Sequence, residues 1–196
     1  MQIKKILEYS LVWRFFRSAL DVLFGVYRRR MKLLNAWGVG RCDAMLDVAC
    51  GTGQYAALAT GRYLGVDLNC EYIRYASSSY KNEMCEFRCV DVRELPKNEQ
   101  FNQVLMVGIL HHLNDGDAKG LLEVLRELAT DQIFLLEPVA DQTNFIGAWF
   151  RDNDRGQYMR SQQHFSSMLI DAGLNIKEER TLYLGPIRTV AFQVDL

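Results

Sequence analysis

The chain has 196 residues, 49% hydrophobic and 24% charged, with a net charge of −1. That length and mixture describe one soluble globular domain with a substantial core. Five cysteines, an odd number without a CxxC pair, argue against a disulfide framework or a zinc site. Charge is uneven along the chain. Residues 1–40 carry eight basic residues (Lys4, Lys5, Arg14, Arg17, Arg28, Arg29, Arg30, Lys32) against Glu8 and Asp21, a balance of +6 that leaves −7 for the remainder.

Met1–Trp37 reads as helical. It has no proline, and Ile3, Ile6, Leu7, Leu11, Phe15, Leu20, Leu23 and Tyr27 recur at three- and four-residue steps. Charges interrupt it too often for a span of about 20 apolar residues, and no small-residue cleavage site marks a signal peptide. Two readings stay open: a helical cap over a pocket, or a basic amphipathic surface touching an anionic membrane or an anionic lipid or saccharide. Nucleic acid is not expected, because the basic run Tyr27–Lys32 lacks aromatic stacking platforms and an extended basic surface.

After a linker at Gly38–Asp43, strand and helix patterns alternate, as in a parallel sheet with crossover helices. Leu46–Ala56, LDVACGTGQYA, is a buried strand running into a glycine turn that opens a short helix. Gly51 and Gly53 permit the sharp turn and close approach of a ligand to the backbone. Twenty residues after Asp47 a second strand, Tyr63–Val66, ends in Asp67; a third, Met84–Val90, runs into Asp91. Three carboxylates at three strand ends outline one crevice suited to a nucleoside. Glu71–Ser79 is predicted helical, Phe101–Ile109 a strand buried on both faces, Asp117–Ala129 an amphipathic helix, and Gln132–Leu136 a fifth strand ending at Glu137-Pro138. Val139–Arg160 has no clear period and reads as a functional loop. Ser161–Ala172 is a helix stopped by Gly173, and Ile176–Leu182 and Thr189–Val194 form a closing hairpin.

LDVACGTG, GVDLN, VDVREL and VLMVGILHHL, in that order, resemble the class I S-adenosylmethionine-dependent methyltransferases across about Ala44–Pro138. The resemblance implies an α/β, Rossmann-like sheet of seven mostly parallel strands with a C-terminal antiparallel hairpin and an N-terminal helical cap. It divides the chain into a cap (1–37), a cofactor core (44–138), an acceptor-side insertion (139–160) and a closing helix and hairpin (161–196). It implies methyl transfer from S-adenosylmethionine, leaving S-adenosylhomocysteine. Asp47, Gly51 and Gly53 then face the methionine half of the cofactor, with Ala49 where the family's first glycine usually stands. Asp67 takes the ribose hydroxyls with Leu68 beside it, Asp91 with Val92 takes the adenine, and Gly108 and Ile109 lie by the sulfonium. The stretch is also similar to phosphoethanolamine methyltransferases, in which a histidine after an Ile-Leu pair acts on the acceptor.

That similarity favours His111 over His112 as the base for a hydroxyl acceptor, since an imidazole of reference pKa near 6.5 suits proton removal at neutral pH. Both histidines capping the following turn is the structural alternative. Glu137, Arg155, Tyr158 and Arg160 are candidate acceptor contacts, two guanidiniums flanking a phenol being suited to a phosphate or carboxylate; ion pairing with Asp152 and Asp154 competes. The expectation is a cytoplasmic enzyme with five reduced cysteines, no metal, and a small-molecule acceptor that is anionic, sugar- or lipid-linked, or a natural-product intermediate. Two other functions remain: a SAM-binding partner protein without catalysis, and an NAD(P)-binding oxidoreductase. The second follows because Gly51–Ala56 also satisfies G-x-G-x-x-G/A, although Asp47 would repel a pyrophosphate.

Overall fold

A central sheet runs in the order β3-β2-β1-β4-β5-β7-β6. Its strands are β1 (Ala44–Val48), β2 (Arg62–Asp67), β3 (Cys85–Cys89), β4 (Phe101–Val107), β5 (Ala129–Pro138), β6 (Asn175–Leu184) and β7 (Ile187–Asp195). The computed structural model describes residues 24–80, 83–141, 145, 147–149 and 156–196. The first five strands pair in parallel, and β7 pairs antiparallel with both β5 and β6. This is the mostly parallel sheet with a closing hairpin that the alternation predicts. Its strands extend a residue or more beyond several sequence-drawn limits; β5 begins at Ala129 rather than Gln132. Strand order reverses between β1 and β4, and in open α/β sheets ligands bind at the carboxyl ends of the strands beside such a point.

Alternation along the strands sends side chains to two cores. On one face Leu46, Val104, Met106, Ile133 and Leu135 meet α3 (Asp115–Leu128) and α4 (Gln162–Asp171). Helix α3 buries Ala118, Leu121, Leu122, Leu125 and Leu128, a stripe at helical spacing. Asn114 caps it by accepting the Asp117 N–H, and Ser161 caps α4 by accepting the His164 N–H. The other face carries Met45, Tyr63, Leu105 and Phe134 beneath Leu33, Leu34 and Trp37 at the end of α1 (Val26–Ala36). Tyr27 of α1 donates its hydroxyl to the Gln54 carbonyl at 3.0 Å, tying the helix to the glycine turn. The predicted N-terminal helix is therefore seen as α1; residues 1–23 lie outside the described residues. Among the described residues no helix is long and apolar enough to cross a membrane.

Two expectations are corrected. The glycine turn leads into a five-residue 3-10 turn, Gln54–Leu58, instead of an α-helix. Few residues separate Gly53 from Gly61, and no helical N-terminus of useful length forms there. The cysteines are not all reduced: Cys70 and Cys89 form a disulfide with Cα atoms 5.1 Å apart, while Cys42, Cys50 and Cys85 are free. Parallel pairing of β2 with β3 sets Cys89 opposite Asp67, beside the turn into α2 (Cys70–Ser79).

Candidate active site

At the end of β1 the backbone leaves the strand through Ala49 at φ 55, then Gly51 at φ 56 and Gly53 at φ 76. Ala49 is the one non-glycine residue with positive φ among the described residues. A Cβ on Gly53 would strike the Phe87 ring at 2.7 Å, whereas one on Gly51 would meet nothing within 4 Å. Gly53 is required by packing, and Gly51 borders open space that a ligand can enter.

Asp47 is buried, and Tyr63 donates its hydroxyl to Asp47 Oδ2 at 2.6 Å. Its Oδ1 is buried with no hydrogen-bond partner. Burial pushes the Asp47 carboxyl up to about 7, against the lowering effect of the Tyr63 bond. Tyr63 is a supporting residue that inspection of the sequence missed. It is two positions from Gly65, the parallel partner of Asp47, and so shares that face of the sheet. Asp67 bridges two loops: Oδ2 accepts the Gly51 N–H at 2.9 Å and Oδ1 the Asn69 N–H at 2.8 Å. Burial raises its carboxyl despite those two bonds. Asn69 in turn caps α2, accepting from the Glu71 and Tyr72 N–H groups. Leu68, 71% exposed, lines an open crevice of about 620 Å³ with Asp67, residues 69–72 and His112.

Asp91 accepts the Arg93 N–H and is gripped by the Arg93 guanidinium at 2.9 and 2.5 Å, which holds its carboxyl below the usual range. Val92 is buried behind it. A carboxylate has about four acceptor sites, so Asp91 keeps acceptor capacity beyond its bonds to Arg93.

Beyond β4 the chain turns at Gly108 (φ 73) into a 3-10 turn, Leu110–His112. Glu137, at the end of neighbouring β5 and fully buried, organises this turn. Its Oε1 accepts the Ile109 and Leu110 N–H groups at 2.8 and 2.9 Å, and its Oε2 lies 2.8 Å from His111 Nδ1. Sequence reading placed Glu137 at the acceptor and did not pair it with His111. The available signal was register: Val107 pairs with Leu136, which brings the residues after both strands together. His111 is 4% exposed, while His112 is exposed and its ring centre is 4.1 Å from that of His111.

Arg160, expected to meet an anionic substrate, is buried and turned inward. It donates to the carbonyls of Leu110 at 2.6 Å, Leu113 at 2.7 Å and Tyr158 at 3.1 Å, and to Asp115 at 2.8 Å. A guanidinium so placed serves the histidine turn rather than an incoming anion. Tyr158 is exposed, its N–H donating to the His111 carbonyl at 3.0 Å. Gly156 lies against His111; a Cβ there would fall 2.1 Å from the ring's Cδ2. Arg155 lies outside the described residues.

The strand ends Asp47 and Asp67, with the turn at Gly51 between them, fit S-adenosylmethionine on their own chemistry. An unpaired buried carboxyl oxygen on Asp47 suits an ammonium, Asp67 suits a diol, and the open side of Gly51 leaves room between them.

Residues 45–131 match the family model of a methyltransferase domain. A curated relative, malonyl-[acyl-carrier protein] O-methyltransferase of Acetivibrio thermocellus, is 28% identical over 103 residues, which make up 49% of this chain and 36% of that protein. The chain thus spans about a third of the length of that relative. Among solved structures, magnesium protoporphyrin IX methyltransferase from Synechocystis PCC 6803 with bound SAM superposes with a TM-score of 0.68 at 15% identity, covering 87% of this chain and 79% of that one. Human N-acetylserotonin methyltransferase in complex with SAM superposes with a TM-score of 0.71 at 20% identity, covering 97% and 57%. By its sheet order and closing hairpin the chain has the fold of these methyltransferases, and its residues 45–131 match a methyltransferase domain.

Proposed function

We propose that this methyltransferase moves a methyl group from S-adenosylmethionine to a hydroxyl oxygen of a small molecule. The observation that carries the proposal is the buried pair of His111 and Glu137. S-adenosylmethionine supplies an electrophilic methyl on a positively charged sulfur, so the protein's main task is alignment, which contributes about 7–11 kcal/mol to lowering a barrier. Asp47, the Gly51 turn, Asp67 and Asp91 hold the cofactor, and Gly108 and Ile109 border its reacting end. A hydroxyl needs one thing more than an amine: its proton must leave as the oxygen bonds to carbon. With Glu137 accepting at Nδ1, the neutral His111 ring carries its hydrogen there, and Nε2 is the basic nitrogen that takes the acceptor's proton.

The O-methyltransferase name of the curated relative supports an oxygen acceptor. The inward-turned Arg160 removes one expected contact for an anionic group, so the proposal does not require a charged acceptor. The test is S-adenosylhomocysteine release with matched acceptors that differ only in a hydroxyl, an amine or an activated carbon. Transfer to the hydroxyl member, lost in His111→Ala, is expected. Transfer confined to amines or carbons sinks the oxygen assignment.

A further inference from the structure

We infer that Cys70 and Cys89 form a thiol–disulfide exchange site that sets the affinity of the nucleoside crevice, the oxidised form being the tight one. The inference rests on the cofactor reading above. Its starting point is placement. Cys70 opens α2 directly after the cap Asn69, and Cys89 closes β3 two residues before Asp91. The disulfide therefore joins the segment carrying the ribose carboxylate to the segment carrying the adenine carboxylate.

A continuous chain of bonds passes through it. The Gly51 N–H donates to Asp67, Asp67 also accepts from Asn69, and Asn69 caps the helix that Cys70 begins. Across the S–S bond, Cys89 sits in parallel register with Asp67, and the Val90 N–H donates to the Asp67 carbonyl at 3.2 Å. Besides the disulfide, the body of β3 is held by its parallel pairing with β2 and by Arg88 on Glu99, and the segment past Cys89 by the Val90 bond. β3 is an edge strand of the sheet, and none of its residues is fully buried. With the bond closed, Asp67 and Asp91 keep their separation before ligand arrives. With it open, that ordering is left to the binding step and weakens binding.

Both half-cystines are exposed, so a reductant can reach them. Exposed disulfides are the readily exchanged ones. The remaining thiols are poor competitors. Cys50 is buried next to Asp47 and Asp67, and burial raises the thiols of Cys42, Cys50 and Cys85, leaving little thiolate in each. The exchange partner is a dithiol. Its first thiolate attacks one sulfur of the Cys70–Cys89 bond to give a mixed disulfide, and its second displaces the protein thiol. One S–S bond breaks in the protein and one forms in the reductant; two electrons and two protons end on Cys70 and Cys89. A small disulfide reverses the step.

The experiment titrates S-adenosylhomocysteine into the full chain by calorimetry, before and after dithiothreitol and again after reoxidation with oxidised glutathione. Thiols are counted on denatured samples of each. Expected are three thiols and tight binding before reduction, five thiols and at least fivefold weaker binding after it, and recovery on reoxidation. The Cys70→Ser/Cys89→Ser double variant should bind like the reduced chain and ignore both reagents. Equal affinity in the two redox states of the wild-type chain overturns the inference, as does a count of five thiols in the oxidised sample. Absence of binding in every state overturns instead the nucleoside reading beneath it.

Discussion

His111 Nδ1 and Glu137 Oε2 stand 2.8 Å apart at the ends of adjacent parallel strands, with both side chains buried. Because Glu137 Oε1 is committed to the Ile109 and Leu110 N–H groups, the carboxylate cannot rotate away. This rigidity makes Glu137→Gln informative. The new carbonyl must keep accepting from those two N–H groups, so the amide NH2 faces Nδ1 and drives the histidine hydrogen to Nε2. The base is then blocked in its neutral form. Turnover should fall about 100-fold or more, as expected for a wrong tautomer, and S-adenosylmethionine affinity should change less than threefold. Steady-state rates with a hydroxyl acceptor, alongside calorimetric binding, provide the check; wild-type turnover in the variant removes the dyad from the chemistry.

A second prediction concerns the support beneath that histidine. Arg160 binds carbonyls on both sides of His111–His112, so losing it leaves the Leu110 and Leu113 oxygens without their charged donor. Asp115 is solvent-exposed and loses little when its partner goes. Hydrogen bonds to charged groups contribute about 1.5–3 kcal/mol each, and water entering the gap recovers part of that. Arg160→Met should therefore cost about 3 kcal/mol, lowering the melting midpoint by about 6–12 °C in a domain of this size. A midpoint within 2 °C of wild type would show that the clamp adds nothing to stability.

Much of this arrangement is legible in the sequence. Apolar runs such as Val104–Val107 mark buried strands, and acidic residues that follow parallel strands lie at one edge of the sheet. Asp47 and Asp67 are placed at strand ends by such runs, and Asp91 by its position just after β3. What stayed hidden depends on neighbours across the sheet. Glu137 and His111 are 26 positions apart, and only the β4–β5 register joins them. Arg160 resembled a surface cation because it sits among other charges; the carbonyls that capture it belong to a turn some 50 positions earlier. The Cys70–Cys89 bond is equally non-local, arising where β3 ends beside the start of α2. Spacing along the chain reveals faces and strand ends, while pairing of side chains follows from register.

Asp47 gives a prediction in pH. Its carboxyl is raised to about 7 in the fold from an ordinary 3.8, so between about pH 4 and pH 7 the native chain holds a proton that the unfolded chain has lost. Stability contributed by this group therefore falls as pH rises through that window, by up to about 1.4 kcal/mol per pH unit. Asp67 shifts in the same direction, so the comparison must be wild type against Asp47→Asn, which should flatten the slope. Cofactor binding runs the other way. An ammonium beside Asp47 favours the carboxylate, so binding below pH 7 expels a proton and affinity improves with pH, approaching tenfold per unit, before levelling above 7. Calorimetry at pH 6 in buffers of different ionisation enthalpy reads that proton directly. No proton release, together with a pH-independent affinity, means that the cofactor's charge does not meet Asp47.

Ala49 occupies a left-handed conformation at φ 55, where a Cβ crowds the following carbonyl at a cost of about 1–2 kcal/mol. Glycine removes the clash but gives the unfolded chain more freedom, a loss of about 0.4–1 kcal/mol. The two effects leave Ala49→Gly neutral to about 1.6 kcal/mol more stable, a gain of at most about 6 °C in melting midpoint. Ala49→Val separates strain from side-chain size. A β-branched residue is a severe outlier at positive φ, so this variant should melt well below wild type and bind S-adenosylhomocysteine more weakly, because the turn that presents the Gly51 N–H to Asp67 begins here. Thermal unfolding of the pair decides the matter. If valine is tolerated within 1–2 °C, the backbone at position 49 adopts another conformation in solution, and the glycine turn must present the Gly51 amide differently.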